Sequence, residues 1–152
     1  MLIPFFAGIL IIAVLDQAAK LFAAGLLQGV DTVPLWNKVF HLTYVENRGA
    51  GWGMFSDHTW LLTVATIIVV VAVVGYVVAK KPKNPLLLTA FTFMIGGAVG
   101  NLVDRVRQGF VIDFFDFTLI NFPVFNVADC FITVGAIVFV IYVLFFSDKK
   151  EK

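Results

Sequence analysis

At 152 residues the chain suits one domain, 1–152. It is 61% hydrophobic and 14% charged, with a mean hydropathy of +0.97, so too little polar surface is present to coat a core in water. The net charge of +1 gives no electrostatic basis for binding nucleic acid, and the lone Cys130 excludes an intrachain disulfide and a cysteine-based metal site.

A membrane-crossing helix needs about 20 mostly apolar residues. The first qualifying run is residues 3–27, interrupted by Asp16, Gln17 and Lys20. It has no basic n-region and is too long for the apolar core of a cleaved signal peptide, so it reads as a retained helix. A polar segment, about 28–59, follows. Within it Phe40, Leu42 and Tyr44 alternate with His41, Thr43 and Val45, the period of a strand. Residues 47–53 then carry Gly49, Gly51 and Gly53, which suits a turn or a close backbone approach. Trp36, Tyr44, Trp52 and Trp60 suit a membrane interface.

The second span, 60–79, contains no ionisable residue. Lys80, Lys81 and Lys83 separate it from the third, 86–103. A second polar segment, about 104–123, leads to the fourth span, 124–146, interrupted only by Asn126 and Asp129. The tail carries Lys149, Lys150 and Lys152. Basic residues in short loops face the cytoplasm, so both termini are expected there and both polar segments outside. The expected fold is an all-α membrane protein: four transmembrane helices, packed through small residues such as Gly96, Gly97, Ala98 and Gly100, with a small strand-containing outer element on the membrane surface.

Polar groups inside a bilayer are costly and mark function or pairing. Asp16 and Lys20 are four apart, share a helix face and can form an ion pair, most simply a structural one. Asn101, Asp104 and Arg105 share a face at the end of the third span, and Asn126 and Asp129 at the start of the fourth. Asp129 is expected about five residues into its helix, roughly 8 Å below the boundary. Asp113 lies between, in the apolar run Val111-Ile112-Asp113-Phe114. All these groups converge on the outer boundary.

Ser56 and Ser147 lack a nucleophile-elbow context, His41 and His58 do not form a helical metal-binding pair, and Cys130 has no histidine in a nearby span to activate it. Aspartates remain. Two carboxylates held close in a low-dielectric site share one proton: the charged member activates water, and the protonated one donates to the scissile group. No metal or cofactor is needed. Asp116 reads as facing water, and Arg105 can neutralise Asp104. Spacing alone leaves Asp129 paired with either Asp113 or Asp104.

Two other functions fit the pattern less well. A small transporter or proton-conducting protein would spread polar groups through the whole membrane depth, whereas the second span and the inner halves of the third and fourth carry no charge. A non-enzymatic scaffold would pair each acid nearby, yet Asp113 and Asp129 have no basic residue within a helical turn.

At these residues the chain resembles lipoprotein signal peptidase, also called signal peptidase II. The resemblance lies in Gly96-Gly97-Ala98-Val99-Gly100-Asn101-Leu102-Val103-Asp104-Arg105, Gly109-Phe110-Val111-Ile112-Asp113-Phe114 and Phe125-Asn126-Val127-Ala128-Asp129. Asn47-Arg48-Gly49-Ala50 and the Asp16, Lys20 pair add to it, with Gly51 a departure where the family often has alanine. The resemblance implies that Asp113 and Asp129 are the catalytic pair of an aspartic endopeptidase. It implies that Asn47, Asn101, Arg105 and Asn126 line the pocket and hold the substrate backbone or orient the aspartates. Asp16 and Lys20 would be a structural polar pair, and Asp104 would pair with its neighbour Arg105. The implied substrate is a prolipoprotein whose cysteine already carries diacylglycerol, cut before that cysteine. The implied setting is a monomer among the lipids of a bacterial inner membrane, its site on the outer side, with no metal and no cofactor. The loop carrying Trp52 and its glycines would close over the substrate.

Overall fold

A bilayer offers no water to backbone amides, so a segment crossing it must satisfy them within a helix. The computed structural model describes residues 1–30, 32–49 and 58–147. Among them are four helices long and apolar enough to cross: α1 (Leu2–Leu27), α2 (Thr59–Lys80), α3 (Pro85–Gln108) and α4 (Val127–Phe146). Their outward faces are bare apolar side chains, such as Phe22 at 70% exposed and Leu144 at 69%, as a lipid-facing surface requires. The chain is a multi-pass membrane protein.

α3 is the hub, packed against α1, α4 and α2. Backbones approach closely where it carries glycine. A methyl group on Gly97 would collide with the Ala128 carbonyl of α4, and one on Gly100 would sit 2.6 Å from the Asp16 carboxylate of α1. In exchange, Gly135 of α4 receives Met94 and the Ala90 carbonyl of α3. Without a hydrophobic driving force between helices in lipid, close packing of this kind holds them together.

Two helix ends differ from the expected spans, each for a local reason. α3 runs to Gln108 rather than stopping near 103. Asp104 does not break it because Lys20 of α1 pairs with its carboxylate at 2.8 Å. Arg105 and Arg107 complement the carbonyl end of the helix, and Gly109, at φ 77°, ends it in the left-handed conformation. At its start Pro85 needs no amide partner, and the Asn84 side chain accepts from the amides of Leu86 and Leu87. α4 begins at Val127 rather than 124 because Phe125 is taken by a strand-like bridge to Phe115, with amide bonds of 2.8 and 3.0 Å. Asn126 then caps the helix.

The polar segments fold into one antiparallel sheet, β1 (Val33–Trp36), β2 (Phe40–Asn47) and β3 (Val111–Asp116), in that order. β2 is the strand expected from its alternation. Its register sets Val45 opposite Asp113 and Asn47 opposite Val111, with an irregularity between Leu42 and Val45. A short 3-10 turn, Thr118–Ile120, follows β3. The sheet is moored to the end of α1 by a cluster of Ala23, Leu27, Ile112 and Phe114. Gly51, Trp52, Gly53 and the lysines of the tail lie outside the described residues.

Candidate active site

Three elements deliver the acids. α3 delivers Asp104, β3 delivers Asp113 and the first turn of α4 delivers Asp129. Asp129 is therefore not five residues into its helix. It is the third helical residue, in a capping box: Asn126 Oδ1 accepts from the Asp129 amide at 3.0 Å, and Asp129 Oδ2 from the Asn126 amide at 3.2 Å. The cap that starts α4 thus also orients one oxygen of Asp129.

Asparagine amides hold the other carboxylate oxygens. Asn101 Nδ2 donates to Asp129 Oδ1 at 2.8 Å. Asn126 Nδ2 donates to Asp113 Oδ1 at 2.6 Å, and Asn47 Nδ2 to Asp113 Oδ2 at 2.8 Å. The orientation of Asn47 follows from chemistry: the Gly49 amide can only donate, and it meets Asn47 Oδ1 at 2.9 Å, leaving the NH₂ for Asp113. Asn126 is fully buried, and its Nδ2 also lies 3.1 Å from Asn101 Oδ1, so the asparagines link the two acids.

Asp113 is 2% exposed. Burial pushes its carboxyl up from 3.8 to about 7, and the neighbouring Asp129 charge adds to the rise. Donors from Asn47 and Asn126, and the Lys20 charge, pull the other way. Near neutral pH Asp113 is poised to hold or release a proton.

Asp113 and Asp129 open onto a cavity of about 720 Å³, together with Asn47, Asn101 and Arg105. Its remaining wall is largely apolar, from Phe122 and Phe125 beneath the sheet to Thr66 on α2 and Ile132 on α4. Arg105 reaches the Gly49 carbonyl at 3.5 Å, while its Nε has no partner among the described residues. Asn126 stands behind the two acids rather than on the cavity wall.

Asp104 does not pair with Arg105. Its partner is Lys20, which also bonds Asp16 at 2.7 Å. The sequence neighbour was a poor guide because adjacent helical residues point in different directions. Asp104 Oδ1 is instead met at 2.9 Å by Gln17, a residue passed over as a mere interruption of the first span. Its polarity within an apolar run was the available signal. Asp116 does not simply face water either: it is half-buried and accepts from Thr43 at 2.9 Å.

The family model described as signal peptidase (SPase) II matches residues 8–145. The lipoprotein signal peptidase of Clostridioides difficile strain 630 is 43% identical over 143 residues, covering 94% of this chain and 96% of that one. That of Caldanaerobacter subterraneus subsp. tengcongensis is 48% identical over 125 residues, covering 82% and 84%. A solved bacterial membrane enzyme superposes with a TM-score of 0.86 at 31% identity, covering 98% of this chain and 93% of its own. The match spans all four helices, the sheet and every acid of the cluster, and the chain belongs to the signal peptidase II family.

Proposed function

We propose that this protein removes signal peptides from prolipoproteins by aspartic catalysis, with Asp113 and Asp129 as the catalytic pair. The observation that carries the reading is a buried carboxyl lifted to about 7 beside a second carboxylate, both aimed into an apolar cavity at the end of the membrane spans. In the proposed cycle Asp113 is the proton donor and Asp129 the general base. Asp129 takes a proton from a water molecule, whose oxygen attacks the scissile carbonyl. Asp113 donates to the carbonyl oxygen as the tetrahedral intermediate forms. Proton return from Asp129 to the leaving amine breaks the C–N bond, while Asp113 takes back a proton from a hydroxyl of the collapsing intermediate. Asn101 and the Asn126 amide keep Asp129 oriented for the first step, and Asn47 and Asn126 orient Asp113 for the second. Arg105, on the cavity wall, is a donor for a substrate carbonyl.

The cut falls before a cysteine carrying diacylglycerol. The apolar wall between Phe122, Ile132 and Thr66 suits acyl chains that remain partly in lipid. Lys80, Lys81 and Lys83 set the opposite end of the helices in the cytoplasm, which puts the pair on the outer side. The sheet lies on the membrane surface, where exposed Trp36, Leu35 and Leu119 meet the lipid interface.

The test is cleavage of a diacylglyceryl-modified prolipoprotein by purified protein in detergent. Asp113→Asn and Asp129→Asn should each remain folded and lose about 10²–10⁴-fold in rate. A folded Asp113→Asn protein that cuts at the wild-type rate refutes the pair while leaving the peptidase reading in place.

A further inference from the structure

Lys20 is 1% exposed, in a helix whose opposite side carries bare apolar side chains. Its ammonium has three hydrogens and no acceptor. All three are used: Asp16 Oδ2 at 2.7 Å, Asp104 Oδ2 at 2.8 Å and Asn101 Oδ1 at 2.8 Å. A structural role alone explains this poorly, because buried ion pairs are replaced by apolar side chains with little loss or even a gain in stability.

What the partners do next is informative. Asp16 Oδ1 accepts from the backbone amide of Ala128 at 2.8 Å, and Asp104 Oδ2 from that of Ile112 at 3.4 Å. Ala128 immediately precedes Asp129, and Ile112 immediately precedes Asp113. The third partner, Asn101, is held oxygen-first by the donor-only ammonium, so its NH₂ must face Asp129. Every hydrogen of Lys20 therefore ends, one residue or one side chain later, on a member of the pair.

We infer that Lys20 is a positioning residue for peptide cleavage: it clasps Asp16 and Asp104, each of which grips the amide before one of the two aspartates, and thereby sets their spacing. Gln17 braces the clasp by donating to Asp104 and to the Gly100 carbonyl at 3.1 Å. The inference rests on the proposed roles of Asp113 and Asp129. It extends the pair from two carboxylates to a frame spanning α1, α3, β3 and α4.

The experiment compares wild type with Lys20→Met, which keeps the length and loses the charge, in the same cleavage assay. Folding is checked by thermal melting in detergent. The expected result is a folded protein with kcat lower by about 10²-fold, since misplacing a reacting group by an ångström costs that much. KM should stay within about threefold, because the cavity wall is untouched. The pH profile is the second readout. Charged or titratable groups around Asp113 come from α1 (Lys20, Asp16), β2 (Glu46), α3 (Asp104, Arg105) and α4 (Asp129), and among them the Lys20 charge holds the Asp113 carboxyl down. Its removal should move the alkaline fall in kcat to higher pH, which a mere loss of folded protein would not do. Should Lys20→Met not fold, Asp104→Asn keeps the Lys20–Asp16 pair and is expected to lower kcat by about 10-fold with KM unchanged.

Wild-type kcat in folded Lys20→Met, or a lowered kcat with an unmoved pH profile, overturns the clasp, as does wild-type kcat in Asp104→Asn. Asp113→Asn and Asp129→Asn, run alongside, separate the two readings. If both are inactive while Lys20→Met is not impaired, only the clasp fails. If either cuts normally, the pair itself fails.

Discussion

α2 and the cavity-bearing ends of α1, α3 and α4 are made of opposite materials. α2 contains no charged side chain before its terminal Lys80, and its one buried residue is Val77. Ile68 and Val71 are more than 60% exposed. The other three helices bring Asp16, Lys20, Asn101, Asp104 and Asn126 together at no more than 6% exposure. A helix held by apolar contact in an apolar solvent has little to lose from any one change. A polar cluster withdrawn from water and lipid is stable only while each member is matched, so each is indispensable. α2 contributes Thr66 to the cavity wall, packs one face on α3 and turns the other outward.

The sharpest way to break that contrast is Asp16→Ala. It strips Lys20 of one carboxylate and leaves the Ala128 amide without its acceptor. The expected cost is about 3–5 kcal/mol, read as a fall in melting temperature in detergent, because a buried charge is left under-compensated. Gly100→Ala strikes the same contact by steric means, placing a methyl 2.6 Å from the Asp16 carboxylate. Forcing extra volume there should cost about 1–3 kcal/mol by the same melt. A melt equal to wild type for either variant would mean that the cluster is softer than its hydrogen bonds suggest. On α2, Val77→Ala should cost at most about 1–2 kcal/mol, and Ile68→Ala, facing lipid, should leave the melting temperature nearly unchanged.

A finer effect sharpens the electrostatic side of the comparison. Asn47 donates to the ionised form of Asp113 and so lowers its pKa. Asn47→Ala removes that donor, and the pKa should rise above about 7. Because Asp113 acts in its protonated form, the loss of cleavage at alkaline pH should then begin at higher pH than in wild type, whatever happens to the maximal rate. The folded protein carries the matching sign. A carboxyl raised above its ordinary 3.8 disfavours the folded state as pH climbs from there towards about 7. Melting temperature should therefore fall over that window, and Asn47→Ala should extend the window upward.

Much of the architecture follows from local pattern alone. Runs of apolar residues long enough to cross a bilayer can only be helices, and the alternation at Phe40, Leu42 and Tyr44 can only sit well in a strand half covered on one face. The polar residues that form the site were also identifiable one by one, since Asp16, Lys20, Asn101, Asp113, Asn126 and Asp129 interrupt apolar surroundings. Partnership was not. Lys20 meets Asn101 across 81 positions of sequence, and Asp16 meets Ala128 across 112. Spacing suggested that Arg105 neutralises Asp104 because periodicity sees only neighbours on one helix. Tertiary packing gave Asp104 to Lys20 instead, since in a low-dielectric interior a charge goes to whichever opposite charge it can reach with its hydrogen bonds satisfied. The sequence by itself determined which segments cross the membrane and which polar groups stand at their ends. Only the tertiary structure decided which of those groups meet, because Coulombic and hydrogen-bond partners are chosen by distance in space rather than by distance along the chain.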